Sequence, residues 1–77
     1  MRMTYDKEAD AVYIYVTDAP YSRGKRLDDQ HRIDYDADGD VRGIELLNVS
    51  HGVDLHNVPF AAKIGRLLEK RKLKVFA

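Results

Sequence analysis

The stretch DYDADGDVRGIE, which runs from Asp34 to Glu45, decides the predicted fold of this chain. Its centre, Asp36-Ala37-Asp38-Gly39, combines aspartates that bond to nearby backbone with a glycine that accepts a positive φ. The segments on both sides of this centre are rich in residues with β-branched, aromatic or aliphatic side chains. We therefore predict two strands, His31–Tyr35 and Val41–Leu47, joined by a tight turn.

Gly43 interrupts the alternation of the second strand in this hairpin. Apolar residues stand at Val41, Ile44 and Leu46, a spacing that a regular strand would divide between its two faces. A β-bulge adds one residue locally and corrects such a spacing. We therefore predict a bulge at Gly43 that lets all three apolar side chains face inward.

The residues before this hairpin predict a second one. Met3–Tyr5 and Asp10–Val16 carry β-branched and aromatic residues, and a short polar stretch separates them. The next segment, Thr17–Arg26, clusters Asp, Pro, Ser and Gly without a period, which predicts a mobile surface loop. Together these segments predict an antiparallel β-meander of about four strands over residues 1–47.

The residues after the meander predict an irregular segment over 48–57 and then a helix over about 58–71. Asn57 is the predicted N-cap, and Pro59 is tolerated in the first turn because its missing N–H would have no helical partner there. The last residues, Leu73–Ala77, alternate weakly and predict a short strand. The helix carries one apolar stripe, formed by Phe60, Ala61, Ile64, Leu67 and Leu68.

These elements predict a single α+β domain over residues 1–77, with the amphipathic helix packed on one face of the sheet. A chain of this length buries only about 60% of the surface that its unfolded form exposes, so its stability is marginal. It contains no cysteine for a disulfide, and self-association is another common source of buried area. We therefore expect a homodimer. No segment approaches the roughly 20 apolar residues of a membrane span, and the amino terminus lacks a signal peptide, so we expect a cytoplasmic protein.

The central hairpin also matches the EF-hand calcium loop at every fixed position. Asp34, Asp36, Asp38 and Glu45 are the candidate calcium ligands, and their oxygens suit a hard cation. An EF-hand needs a helix on each side, however, whereas strands flank this loop. Arg42 would also place a cation beside the metal. The sequence therefore favours a structural turn, with cation or small-ligand binding as the alternative.

Other signals for catalysis are weak. The histidines His31, His51 and His56 lack the spacing of a zinc site, and we expect surface or capping roles for them. The chain has no cysteine nucleophile, serine elbow or phosphate-binding glycine loop. We therefore predict that the protein is not an enzyme and requires no cofactor.

Charge is unevenly distributed although the net charge is zero. Residues 1–57 carry 7 basic and 12 acidic side chains, and residues 58–77 carry 6 basic and 1 acidic side chain. The basic tail alone would suit a nucleic-acid backbone, but the acidic body would repel phosphate, which argues against such a partner. The residues that we predict for contact with another protein are Tyr13, Tyr15, Arg66, Lys70 and Arg71.

Two blocks of this sequence resemble the YuzE-like family of small prokaryotic proteins, known as domain of unknown function 2283. The first block is MTYD with EADAVYI, within Met3–Ile14, and the second is DYD, DG and VRGIELL, within Asp34–Leu47. The likeness covers about residues 1–50 and omits the helical tail. It implies a compact α+β domain without an established activity or catalytic residues. Genes of such families often lie beside genes for small toxin-like proteins, which suggests an antitoxin-like role.

We therefore predict a non-enzymatic protein–protein interaction module. Its contacts would involve either the tyrosines of the sheet or the basic residues of the C-terminal segment. The alternative from a different class is a protein that binds a small ligand or divalent cation through Asp34–Glu45.

Overall fold

The computed structural model describes residues 1–76. It confirms the α+β class: the chain forms an antiparallel sheet of five strands, a pair of short parallel strands and one α-helix packed on the sheet. A 3₁₀ turn at Val49–His51 follows the fifth strand. The elements are β1 Arg2–Asp6, β2 Ala11–Tyr15, β3 Arg23–Arg26, β4 His31–Tyr35, β5 Val41–Leu47, β6 Val53–Asp54, α1 Ala61–Lys70 and β7 Val75–Phe76.

The strand order is β1-β2-β5-β4-β3, which differs from a meander of sequential neighbours. The hairpin β1–β2 and the meander β3–β4–β5 meet through antiparallel pairing of β2 with β5. In this register Ile14 lies opposite Ile44, and Ile33 of β4 also lies opposite Ile44. The central position of β5 follows from its composition, because the side chain of Ile44 is fully buried and needs an apolar strand on each side.

The prediction of a loop throughout Thr17–Arg26 was wrong, because its last residues form β3. Arg23–Arg26 pairs with β4 in an antiparallel register, and all four residues are exposed. This strand lies at the edge of the sheet, where cationic side chains are common because they prevent pairing with other chains. Its sequence lacks β-branched residues, so backbone pairing with β4 holds it rather than its own propensity.

The predicted bulge in β5 is confirmed. Asp34 lies opposite Gly43 and Tyr35 lies opposite Val41, so Arg42 is the extra residue between the two pairs. Ile44 is fully buried, and Val41 packs against the core from a partly buried position. The bulge therefore places Val41, Ile44 and Leu46 inward and leaves Arg42 to reach the opposite face.

The helix begins later than predicted, and Asn57 is not its N-cap. Phe60 occupies that position with φ 60°, and no side chain caps the helix. Asn57 is also left-handed, with φ 64°, so the chain turns twice before α1 begins. Phe60 consequently leaves the predicted apolar stripe and is 46% exposed. Ile64 and Leu68 are fully buried.

The core lies between the inner face of the sheet and the segment that follows β5. The predicted C-terminal strand is present as β7, which pairs in parallel with β6, while Ala77 lies outside the described residues. No helix within residues 1–76 is long and apolar enough to cross a membrane. The buried apolar residues are Val12, Ile14, Ile33, Ile44, Leu46, Val49, Val53, Leu55, Val58, Ile64, Leu68 and Leu73.

Candidate functional site

The two faces of the five-stranded sheet have different partners. Along β2, Val12 and Ile14 are buried beneath the segment that contains α1, as the alternation predicted. Tyr13 and Tyr15 alternate with them and project from the other face, where both are partly exposed. We call this second face the outer face; the β2–β3 connection reaches it through Ala19 and Tyr21, whereas α1 packs against the inner face.

Tyr13 lies at the centre of a polar network on the outer face. Its hydroxyl donates a hydrogen bond to Oδ2 of Asp34 over 2.8 Å. The same hydroxyl accepts a hydrogen bond from Nη1 of Arg42, also over 2.8 Å. Nε of Arg42 donates to the carbonyl of Ala19, which holds the guanidinium against the middle of the β2–β3 connection. Tyr13 thus links strands β2, β4 and β5 through side chains alone.

Further tyrosines and arginines extend this network in both directions. Nε of Arg32 donates to Oδ1 of Asp34 over 3.2 Å, and Nη2 of Arg32 donates to the hydroxyl of Tyr21. On the other side, the guanidinium of Arg2 stacks 4.0 Å from the centre of the Tyr15 ring. We name these residues the tyrosine–arginine cluster: Arg2, Tyr13, Tyr15, Tyr21, Arg32, Asp34 and Arg42.

Two glycines provide the space that this cluster occupies. The ring of Tyr13 lies where a Cβ on Gly43 would project, so a larger residue there would collide with the hydroxyl end of the ring. The guanidinium of Arg32 similarly occupies the space above Gly24 on β3. The two side chains can therefore lie flat across the sheet and reach Asp34 between them.

The environment of Tyr13 changes its acidity. Burial of the side chain and its hydrogen bond to Asp34 raise the pKa of Tyr13 from 10.0 to about 12, while Arg42 acts in the opposite direction. At neutral pH the hydroxyl is therefore protonated and donates to the carboxylate. A neutral phenol in this state is a structural donor and a poor nucleophile or general base.

Two shallow hollows flank Glu45 in the middle of the outer face. One has a volume of about 230 Å³ and is lined by Asp6, Tyr13 and Glu45 among others. The other has a volume of about 240 Å³, with Arg26, Arg32 and Glu45 in its lining. Both are smaller than the roughly 300–1,000 Å³ of typical small-molecule sites. Hollows of this size suit individual side chains of a partner.

The structure does not bring the predicted contact residues together at one site. Tyr13 and Tyr15 belong to the outer face, where their ring centres are 4.7 Å apart. Arg66 and Lys70 are exposed on α1, which packs against the inner face. Arg71 follows the helix, and its guanidinium lies 5.4 Å from the ring centre of Tyr5. The tyrosines and the basic residues are therefore separate surfaces on opposite sides of the sheet.

The acidic turn has the predicted hairpin structure. Gly39 has φ 84°, and Oδ1 of Asp36 accepts hydrogen bonds from the backbone N–H groups of Asp38 and Asp40 over 2.9 and 3.0 Å. The backbone N–H of Asp36 donates to the carbonyl of Asp40. These bonds explain the aspartates by the geometry of the turn itself.

The candidate calcium ligands do not converge on one point. Asp34 bonds to Tyr13 on the outer face, and Asp36 bonds to the turn backbone. Within residues 1–76 the one set of three potential metal ligands that can place one oxygen each within 4.8 Å of the others is Asp36, Asp38 and Asp40. Glu45 lies apart from it, opposite Tyr13 in the register of β2 and β5. Strands β4 and β5 flank this loop, and its carboxylates do not adopt the EF-hand arrangement.

His31 was expected at the surface or in a cap, but it is 7% exposed. Its Nδ1 lies 2.7 Å from Oδ1 of Asp28, and its Nε2 lies 2.5 Å from the carbonyl oxygen of Asp54. Gln30 reinforces the same junction: its amide donates to the carbonyls of Leu47 and Gly52 and accepts from the N–H of Asp54. These bonds join the β3–β4 turn to β6. His31 therefore has a structural role, whereas His51 and His56 are exposed.

Asp28 lies in the β3–β4 turn and binds His31 at this junction. Burial alone would raise the pKa of Asp28, but hydrogen bonds from the backbone of Gln30 and from the ring and backbone of His31 outweigh that effect. The pKa of Asp28 is consequently lowered, and the carboxylate is charged at neutral pH.

Sequence reasoning missed most of the cluster. Arg2, Tyr21, Arg32 and Arg42 were not predicted as contact residues, because contacts between distant strands depend on the strand order. One sequence signal was available: a glycine in the centre of a strand often marks a place where another group approaches closely. Gly43 is such a glycine, and Tyr13 is the group that approaches it.

The fold and this site define a small α+β protein with one covered sheet face and one open face rich in tyrosine and arginine. The chain belongs to the family DUF2283, described as a protein of unknown function, whose sequence model matches residues 2–50. That match covers more than half of the chain and contains all five strands of the large sheet. Neither the curated proteins nor the solved structures give a match to this chain.

Proposed function

We propose that this protein is a non-enzymatic interaction module that binds a protein partner through the tyrosine–arginine cluster on its outer face. The observation that supports this proposal is the hydrogen-bonded network of Tyr13, Asp34 and Arg42 on the sheet face opposite α1. Tyrosine and arginine are enriched at protein interfaces because they combine large contact area with polar groups that stay satisfied at the rim.

A protein partner suits this surface better than a single-stranded nucleic acid does. Bases stack on open aromatic faces, whereas the guanidinium of Arg2 already covers the ring of Tyr15. Asp34 and Glu45 share the outer face with Arg2, Arg32 and Arg42, so this face has mixed charge and is not the uniformly basic surface that a nucleic-acid backbone favours. The mixture of charges favours a partner surface that offers both acidic and basic side chains.

Two further features belong to this proposal. The module self-associates as a homodimer, which adds buried area to a chain of only 77 residues. It acts in the cytoplasm, which agrees with the absence of cysteine from the sequence. An antitoxin-like role would fit such a module, since an antitoxin acts by binding another protein.

The proposal is tested by capture of partners with the tagged full-length chain and with single variants. We expect Tyr15→Ala and Arg42→Ala to weaken binding of a captured partner roughly tenfold or more, because truncating interface aromatics and arginines has large effects. Lys63→Ala is the matched control, since Lys63 is an exposed residue of α1. Equal binding by all three variants would contradict the assignment of the outer face.

The alternative function, binding of a divalent cation through Asp34–Glu45, has its own experiment. Calorimetric titration with calcium, magnesium and manganese is expected to give only the heat of dilution, because Asp34 and Asp36 already bond within the protein. Binding heat that disappears in Glu45→Gln would establish the alternative instead.

A further inference from the structure

Strand β1 is an edge of the five-stranded sheet, and its outer edge has no strand partner within residues 1–76. The opposite edge strand, β3, has the sequence RGKR, in which cations repel any second copy. Strand β1 has the sequence RMTYD, which carries one cation and one anion. It therefore lacks the charge protection that β3 has against pairing with its own copy.

The sequence of β1 is complementary to itself in the antiparallel direction. If two copies pair with Thr4 opposite Thr4, then Arg2 lies opposite Asp6 of the second copy, and Asp6 lies opposite its Arg2. Met3 and Tyr5 lie opposite each other in the same register. Opposite charges directly across two strands are stabilising, and so is the contact of a methionine sulfur with an aromatic ring.

The two faces of β1 support this register. Arg2, Thr4 and Asp6 are exposed, whereas Met3 and Tyr5 are partly buried and pack against the core. Antiparallel pairing would therefore place the charged pairs in one layer and extend the apolar layer with the Met3–Tyr5 pairs. The charged layer of one copy would continue into the charged layer of the other, and the apolar layer into the apolar layer.

The charges of Arg2 and Asp6 are available for such pairs. Neither residue forms a salt bridge within residues 1–76. Arg2 stacks on Tyr15, an arrangement that leaves the N–H groups at the guanidinium edge free to donate. Asp6 uses only Oδ1, which accepts a hydrogen bond from the N–H of Ala9.

We propose that two copies of this chain form a two-fold symmetric dimer by antiparallel pairing of their β1 strands, with the axis at Thr4. This inference rests on the self-association in the proposed function and gives it a surface. The contact is isologous and closes after two copies. It joins the two sheets into one and leaves Tyr13 and Arg42 of each copy open to a further partner.

A single cysteine tests the register, because the chain contains no native cysteine. Thr4→Cys places the two thiols across the axis, where directly opposed Cβ atoms are about 4.5–5.5 Å apart, near the span of a disulfide. We expect mild oxidation to link Thr4→Cys chains roughly tenfold or more faster than chains with Lys25→Cys, a control on β3. Equal rates would overturn the proposed surface.

Exchange of the charges tests the pairing independently. Arg2→Asp and Asp6→Arg each place like charges opposite one another, so each variant alone should self-associate roughly tenfold or more weakly. In a mixture of the two variants every cross-strand pair is again of opposite charge, and we expect dimers that contain one chain of each. Circular dichroism confirms folding first, since Asp6→Arg removes the acceptor for Ala9.

Light scattering of the unmodified chain separates the possible failures. If the unmodified chain is a stable dimer but Thr4→Cys chains do not cross-link, the β1 contact is contradicted and the proposed self-association stands. A monomer at every concentration would contradict both. Failure of the mixed variants to associate, with both folded, would also reject this register.

Discussion

Replacing His31 with alanine is expected to lower the free energy of unfolding by about 2–4 kcal/mol. The imidazole is buried, and both ring nitrogens contact oxygen acceptors, one on Asp28 and one on the backbone of Asp54. Removal of the ring leaves a cavity and takes away the polar contacts with Asp28 and with the backbone of Asp54. The junction between the β3–β4 turn and β6 would then depend on Gln30 alone.

Chemical denaturation measures this effect, with His51→Ala as the control. His51 is exposed, and its replacement should change the free energy of unfolding by about 0.5 kcal/mol or less. If the two variants were equally stable, the buried junction would not contribute as its geometry indicates. A change confined to His31→Ala would establish that this histidine is part of the fold.

Replacing Gly43 with alanine is expected to remove Tyr13 from the tyrosine–arginine cluster while the sheet stays folded. The backbone of Gly43 does not have a positive φ, so alanine is compatible with it. The added methyl group would collide with the hydroxyl end of Tyr13, which can rotate away more easily than the strand can move. The bonds to Asp34 and Arg42 would break, and partner binding should weaken roughly tenfold or more.

Titration of tyrosine absorbance against pH reports this displacement directly. In the unmodified chain the pKa of Tyr13 is about 12, and in Gly43→Ala it should fall toward the ordinary value of 10.0. Because burial and the bond to Asp34 raise this pKa on folding, the stability that depends on the neutral phenol is fully present below pH 10 and is lost as the pH rises through about 12. The variant should show a weaker dependence of stability on pH in that range.

A second glycine variant provides the control for this titration. Gly65→Ala adds a methyl group that meets Leu55 at the ordinary distance of 3.4 Å, far from the outer face. Its tyrosine titration should match that of the unmodified chain. A Tyr13 pKa that stayed near 12 in Gly43→Ala would show that the ring does not depend on the space above Gly43.

The elements that sequence predicted well are those whose own residues determine them. The alternation of Val12 and Ile14 with tyrosines gave the correct faces of β2. The spacing around Gly43 gave the bulge, and the aspartates with Gly39 gave the turn. In each case the deciding interaction lies within a few residues or repeats with the period of a strand.

The parts that were missed depend on contacts between distant segments. Strand β3 forms because β4 offers backbone partners, a property that its own residues do not show. The delay of α1 comes from the left-handed Asn57 and Phe60. Asparagine adopts a positive φ comparatively often, but phenylalanine rarely does, so the conformation of Phe60 has no signal in the sequence. The hydrogen-bond partners of Tyr13 lie on β4 and β5, so they depend on the order of strands in the sheet. Local pattern does not determine that order.

The glycines beneath the tyrosine–arginine cluster also bear on the entropy of binding. A flexible surface side chain loses roughly 0.5–1.5 kcal/mol of rotamer freedom when a partner immobilises it. Tyr13, Arg32 and Arg42 already lie flat and are held by hydrogen bonds in the free protein. Much of that entropy is therefore lost during folding, before any partner arrives, and the outer face is preorganised for recognition.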